Sequence, residues 1–178
     1  MQEGRWEIRP VDWEDVRVLR EALELSDVTA AVLVRRGLGD PAAARAFLDA
    51  APPAHDPLLL GDMAQAVASV RAASAAGTRI CGHGDYDVDG ICATAVAMLG
   101  LRELGAGGTR HLPSRFEEGY GLAVETVERL AADGVGLILT VDCGITAVAE
   151  VARARELGLD VIVTDHHRPG DRLPDCPV

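Results

Sequence analysis

Lysine is absent from this chain, and all 17 basic residues are arginines. A Walker-type phosphate loop is thereby excluded, because its lysine cannot be supplied. Any phosphate contact must instead be made by a planar guanidinium. Cysteines are few and scattered (Cys81, Cys92, Cys143, Cys176), with no C-x-x-C pair. That pattern argues against a zinc knuckle or a disulfide framework and predicts buried, reduced thiols. No apolar run approaches the roughly 18 residues that span a bilayer. The first six residues, Met1 to Trp6, lack the apolar stretch of a signal peptide, so a cytoplasmic protein with no membrane partner is expected. Positive charge is also scarce: 17 basic against 28 acidic residues leave a net charge of −11, unlike the basic surface of a generic nucleic-acid binder. A phosphate-handling site survives this test, since carboxylates that hold divalent cations form a positive centre once loaded.

What the sequence does contain is an ordinary globular composition, 48% hydrophobic and 25% charged over 178 residues, enough for a domain with a sizeable core. Residues 1–60 read as a helical N-terminal segment. Val16, Leu19 and Leu23 recur at helical spacing within Glu14 to Leu25, Ser26 and Asp27 can cap a second helix through Val34, and Pro41 suits the first turn of a third ending at Leu48. Pro52-Pro53 should stop helical structure there. An Ala-rich helix follows from Asp62 to Ala76, closed by Gly77.

Beyond that point short apolar runs alternate with helical patterns. Strands are expected at Thr78 to Gly82, Thr109 to Leu112, Leu137 to Val141 and Val161 to Thr164. Helices are expected at Ile91 to Leu104, Ala123 to Ala132 and Ala147 to Leu157. This alternation, with strands too apolar to face water, predicts an α/β fold: a parallel sheet with helices on both faces, occupying residues 61–178. Such sheets bind ligands beyond the carboxyl ends of their strands, so the residues just past each strand carry the information.

Past the first strand stand His83, Asp85, Asp87 and Asp89; past the second, Pro113 to Gly121 with Arg115; past the third, Asp142-Cys143-Gly144; past the fourth, Asp165-His166-His167-Arg168. Random placement of five histidines would seldom put three of them here. Three alternating carboxylates in one loop repel one another unless a cation lies among them. An EF-hand is excluded, because position twelve of its loop would be Val96 and a strand precedes it. A dinucleotide fingerprint starting at Gly82-His83-Gly84 is excluded too, because its third glycine would fall on Asp87. Carboxylates and imidazoles without thiolates suit Mn²⁺ or Mg²⁺, and the surplus of donors suits two ions. Two ions about 3.5–4 Å apart would activate a water and clamp a phosphoryl group for in-line displacement. The chemistry indicated is phosphoester hydrolysis.

These residues resemble a known family. Gly84 to Gly90, then Arg115 with Glu118-Gly119-Tyr120-Gly121, then Val141 to Gly144, then Asp165-His166-His167 are similar to the ordered motifs of the DHH phosphoesterase superfamily, and in particular to its single-stranded-DNA exonucleases. The match reaches upstream through Arg36-Gly37, Phe47-Leu48, His55-Asp56-Pro57 and Gly61-Asp62-Met63. The resemblance implies a 5′-to-3′ exonuclease that needs Mn²⁺ or Mg²⁺, releases nucleoside 5′-monophosphates and serves DNA repair and recombination. Single-stranded DNA is the implied substrate, and a single-strand-binding protein a partner. Carried over by position, Asp87 and Asp89 each hold one metal, Asp142 bridges both, and His166 binds the second. His167 contacts the scissile phosphate, His83 falls at a first-metal position, and Asp85 is a ligand or orients one. Arg115 and Arg168 are candidate phosphate contacts, against ion pairing of Arg115 with Glu117 or Glu118. Tyr86 and Cys143 are expected to pack, and His55 and His111 to be structural.

The family pattern has a further Asp ligand and a strand-gripping domain beyond Asp165, so weak or no processive nuclease activity is expected of these 178 residues alone. Two alternatives differ in class: a phosphodiesterase for short oligonucleotides, cyclic dinucleotides or pyrophosphate, and a non-catalytic replication scaffold.

Overall fold

The structure, a computed structural model, describes residues 7–50 and 55–178. The expectations for the first six residues and for Pro52-Pro53 lie outside the described residues. The chain forms two compact units, Met1–His55 and Asp56–Val178.

The first unit holds α1 (Trp13–Leu23), α2 (Asp27–Arg35) and α3 (Pro41–Leu48). Each starts at a polar cap. Asp12, Ser26 and Asp40 accept from Glu14 N, Thr29 N and Ala43 N, satisfying amides that have no partner inside the helix. Val16, Leu19, Ala30, Ala31, Leu33 and Ala44 bury against one another as a small core.

The second unit opens with a single 3₁₀ turn (Pro57–Leu59) and α4 (Met63–Ala75), then alternates β1 (Arg79–His83), α5 (Val88–Glu103), β2 (Gly108–His111), α6 (Val124–Ala132), β3 (Val135–Val141), α7 (Val148–Glu156) and β4 (Asp160–Thr164). All pairings are parallel, in the order β2-β1-β3-β4. Successive residues of the strands feed opposite faces. Ile80, Leu137 and Ile162 pack with Leu101, Val70 and Met98 from α5 and α4. Cys81, Ile138, Val161 and Val163 pack with Val127, Leu130, Val151 and Ala154 from α6 and α7. Burying each large aliphatic side chain contributes roughly 1.5–3 kcal/mol, which is why β3 and β4 are nearly continuous apolar runs. The edge strand β2 is the exception, Gly-Thr-Arg-His, and only half buried. Among the described residues no helix is long and apolar enough to cross a membrane.

The connection after β1 runs outward to β2, and the connection after β2 returns past β1 to β3. The strand order therefore reverses between β1 and β3, and a crevice opens at their carboxyl ends. His83 lies in register with Thr140, two residues before Asp142. The topology thus delivers the acidic loop and Asp142 to the same place.

Most boundaries lie within two residues of the sequence reading, and the start of α5 departs by three. α5 begins at Val88 rather than Ile91, because the Asp87 carboxylate accepts from Gly90 N at 3.0 Å and caps the helix earlier. The loop is drawn tight at this point. A Cβ on Gly90 would stand 2.7 Å from Asp85 Cα and closer still to that residue's backbone N and O. Neither side can yield without moving main chain. Gly90→Ala is expected to lower stability by roughly 3 kcal/mol and to displace Asp85 to Asp89, measured as a lowered melting temperature together with weakened Mn²⁺ binding.

Candidate metal centre

Asp142 occupies the first position after β3 in the left-handed region, φ 62°, a conformation that costs a non-glycine residue of order 1 kcal/mol or more and collects at functional sites. Its amide donates to Thr164 O at 3.0 Å, which ties the turn to the end of β4. The side chain is 6% exposed, and neither carboxylate oxygen has a hydrogen-bond partner. His166 Nε2 lies 2.8 Å from Asp142 Oδ1, close but without the alignment of a hydrogen bond. Burial pushes the Asp142 carboxyl above its usual range, outweighing the lowering by the neighbouring His166, and the negative charge of Asp87 adds to the rise. A buried carboxylate with neither oxygen hydrogen-bonded, set beside an imidazole nitrogen, suits a divalent cation.

Donor atoms of Asp142, His166 and His167 all lie within 4.8 Å of one another, the one such trio among the described residues. The organiser of this trio is Asp165. Its Oδ1 accepts from His166 N at 2.7 Å, His167 N at 3.0 Å and His167 Nδ1 at 2.7 Å, and its Oδ2 accepts from Ile145 N at 2.9 Å. Burial disfavours the charge on Asp165, but these donors outweigh it and hold the carboxyl below its ordinary range. Asp165 is saturated, so of the Asp-His-His triplet it orients while the histidines present free ring nitrogens. The hydrogen bond to Asp165 raises the affinity of His167 for its proton.

His83 is fully buried at the end of β1. Its Nε2–H donates to Gly121 O at 3.2 Å, which leaves Nδ1 as an unprotonated, buried atom without a partner. Burial, with the neighbouring His111, pushes its pKa down to about 4. His83 is therefore neutral at pH 7, the state that can ligate a metal. Asp85 is 1% exposed, and its Oδ1 also lacks a partner. Asp87 is occupied at the cap by Gly90 N. Asp89, in the first turn of α5, shares a cleft of about 420 Å³ with Asp142 and His166. The structure thus gathers His166, His167 and Asp142 tightly and sets Asp89 across the cleft. It leaves His83 and Asp85 buried behind them with unpartnered atoms.

Three roles were not legible in the sequence. Glu118 does not pair with Arg115. It accepts from Thr126 Oγ1 (2.8 Å), Ser114 N (3.1 Å), Arg129 (3.1 Å) and His111 Nε2 (2.9 Å). Burial opposes its charge, yet these donors bring its pKa down to about 2. His111 stacks on His83 with ring centroids 5.2 Å apart, so this network braces the His83 ring. Arg115 instead lies 4.4 Å over the Tyr86 ring. Tyr86 meets Tyr120 edge-on, and the Tyr120 hydroxyl is 3.0 Å from His167 Nδ1. Cys143 is buried as expected, its thiol directed at His83 O. Arg168 is exposed on the loop after β4.

Acid should weaken the metal-free fold through His83. An unfolded His83 binds its proton near pH 6.5 and the buried one only near pH 4. Stability is therefore complete above about pH 6.5 and falls as the pH drops to about 4, by about 3 kcal/mol. Denaturant titrations in EDTA at stepped pH check this, and a His83→Asn chain should lose that slope.

A parallel sheet with an Asp-rich loop after its first strand, a strained Asp after its third and an Asp-His-His turn after its fourth gathers metal-ligating groups at one edge. The model of the DHH family, N-terminal domain, matches residues 78–178, and the chain belongs to that family. It is similar to the single-stranded-DNA-specific exonuclease RecJ of Bacillus subtilis (strain 168), 41% identical over 172 residues, covering 96% of this chain and 22% of the relative. It is also similar to the RecJ of Salmonella typhimurium, 54% identical over 101 residues, 56% of this chain and 18% of the relative. Among solved structures, RecJ in complex with Mn²⁺ from Thermus thermophilus superposes with a TM-score of 0.69 at 36% identity, over 93% of this chain and 23% of that one. An exonuclease RecJ bound to manganese superposes at 0.65 with 45% identity, over 70% and 32%. The chain spans less than a quarter of the length of these curated relatives.

Proposed function

We propose that this chain supplies a two-metal phosphoesterase centre to a 5′-to-3′ exonuclease that degrades single-stranded DNA to nucleoside 5′-monophosphates in repair and recombination. The observation that carries the reading is the buried Asp142 carboxylate, both oxygens unpartnered, 2.8 Å from His166 Nε2. Structural relatives solved with Mn²⁺ and with Mg²⁺ support the choice of ion. Asp87 and Asp89 would each hold one ion and Asp142 both, with His166 on the second; His83, with its unpartnered Nδ1, and Asp85, with its unpartnered Oδ1, would hold the first or orient its ligands. When bound, such ions lower the pKa of a water and neutralise phosphoryl charge.

The chain's own residues do the rest. Asp165 fixes the His167 imidazole and the backbone that carries His166 before substrate arrives, which lowers the cost of ordering them during reaction. His167, its Nδ1 proton engaged by Asp165, presents Nε2 to a phosphate oxygen. Arg115 and Arg168 offer guanidinium contacts to flanking phosphates. The catalytic unit is residues 61–178, with 1–60 as a helical segment preceding it.

The test is the full-length exonuclease that contains this chain, assayed with Mn²⁺ on 5′-labelled single-stranded DNA, wild type against Asp142→Ala. Mononucleotide release by the wild type and none by the variant is expected. Persistent turnover in the variant would show the site to be misplaced. Release from short oligonucleotides but not long strands would mark a small-substrate phosphodiesterase instead.

A further inference from the structure

Four thiols are present, and three are sheltered. Cys81 and Cys143 are fully buried, and Cys176 is partly covered. Burial pushes their pKa up to about 11, 12 and 11 respectively, which keeps them protonated and poor nucleophiles. Cys92 alone is exposed. It sits three residues after Asp89 on α5, so the two side chains emerge on the same side of the helix. Both line the cleft of about 420 Å³ shared with Asp142 and His166. Asp142, 6% exposed and with neither carboxylate oxygen hydrogen-bonded, lines the same cleft. The cleft is thus built to receive a ligand, and the one accessible thiol stands in its wall.

We infer that Cys92 is a thiol–disulfide exchange site, and that a mixed disulfide formed there with a small peptide disulfide fills the cleft and closes it to a phosphate-bearing ligand. This rests on the metal-centre reading given above. The Cys92 thiolate attacks one sulfur of R–S–S–R, a Cys92–S–S–R bond forms, and R–S⁻ leaves. That thiolate takes up the proton lost from Cys92, so the sum is Cys92–SH + RSSR → Cys92–SSR + RSH, with two sulfurs changing partner and no other oxidant needed. Excess thiol reverses it. The appended group is anchored one helical turn from Asp89, on the wall of the cleft that Asp142 and His166 also line. Oxidising conditions would in this way switch the site off reversibly, whereas the buried Cys143 beside Asp142 is spared.

The experiment uses oxidised glutathione as the disulfide and thymidine 5′-monophosphate with Mn²⁺ as the ligand. The protein is mapped by intact and peptide mass, then titrated calorimetrically before modification, after it, and after dithiothreitol. Expected are a single adduct at Cys92, at least about tenfold weaker nucleotide binding, full recovery on reduction, and no adduct-dependent loss in Cys92→Ser. An adduct favouring Cys176, or undiminished binding by fully modified protein, overturns the inference. Failure of the reduced protein to bind Mn²⁺ at all overturns the metal-centre reading itself, and this inference with it. The reduced arm therefore separates the two failures.

Discussion

Replacing Asp142 by Asn is expected to make the metal-free protein more stable while removing its Mn²⁺ site. The carboxylate is buried with neither oxygen hydrogen-bonded, and burial raises its pKa despite the neighbouring His166. An amide of the same shape carries no charge, and Asn tolerates the left-handed backbone at φ 62° as Asp does. Removing a buried charge that lacks hydrogen bonds should raise unfolding free energy in EDTA by about 1–2 kcal/mol. Mn²⁺ affinity should fall by more than the roughly 10–100-fold that loss of an outer partner costs. Turnover should fall on the order of 10³-fold, if the ions contribute several kcal/mol to the barrier. Denaturant unfolding and calorimetry on one pair of proteins give both signs. A variant less stable than wild type in EDTA would mean that Asp142 is held by contacts in the fold and is no vacant ligand.

The second large effect belongs to Asp165→Ala. Four donors lose their acceptor together: Ile145 N, His166 N, His167 N and His167 Nδ1. Water can replace some of these bonds at the exposed histidines, but the Ile145 amide is only partly accessible, so a stability loss of about 2 kcal/mol is expected. With the His167 ring and the His166 backbone unpinned, Mn²⁺ binding should weaken about 10–100-fold even though no ligand has been removed. Asp165→Asn should fall between, since its amide keeps an acceptor for the histidine side and turns a donor towards Ile145. The His167 ring should then titrate lower, because the carboxylate that raises its pKa is gone; ring-proton NMR against pH reads this directly. If Asn and Ala variants bound Mn²⁺ as tightly as wild type, Asp165 would be a turn residue and nothing more.

Much of this architecture was legible because it is local. β3 and β4 are apolar runs flanked by turn residues, and helices such as α3 carry their caps in the sequence, Asp40 before Pro41. The parallel sheet follows from the alternation, and the strand-end rule then brought the loop of His83 to Asp89, Asp142 and His166-His167 to one edge. What stayed hidden depends on contacts between residues distant in sequence. The Glu118 network joins His111 to Arg129 across 18 residues, and the Tyr120 hydroxyl reaches His167 across 47. Arg115 lies over Tyr86 and does not pair with Glu118, which four donors already claim. The division of labour inside Asp-His-His was hidden for a different reason. Spacing shows three polar residues in a turn, but only the hydrogen bonds show that the first is saturated and the others are free. The start of α5 was misplaced by three residues for a similar cause: Asp87 serves the helix as a cap, which no count of apolar positions reveals.

The centre can be seen directly. Crystals of this protein grown with Mn²⁺ and measured at the manganese absorption edge should show an anomalous peak in the cleft between the Asp142 carboxylate and His166 Nε2, with Asp89 facing it, and none in an Asp142→Asn crystal. Density at that position without anomalous signal, or manganese bound only away from Asp142, would contradict the account.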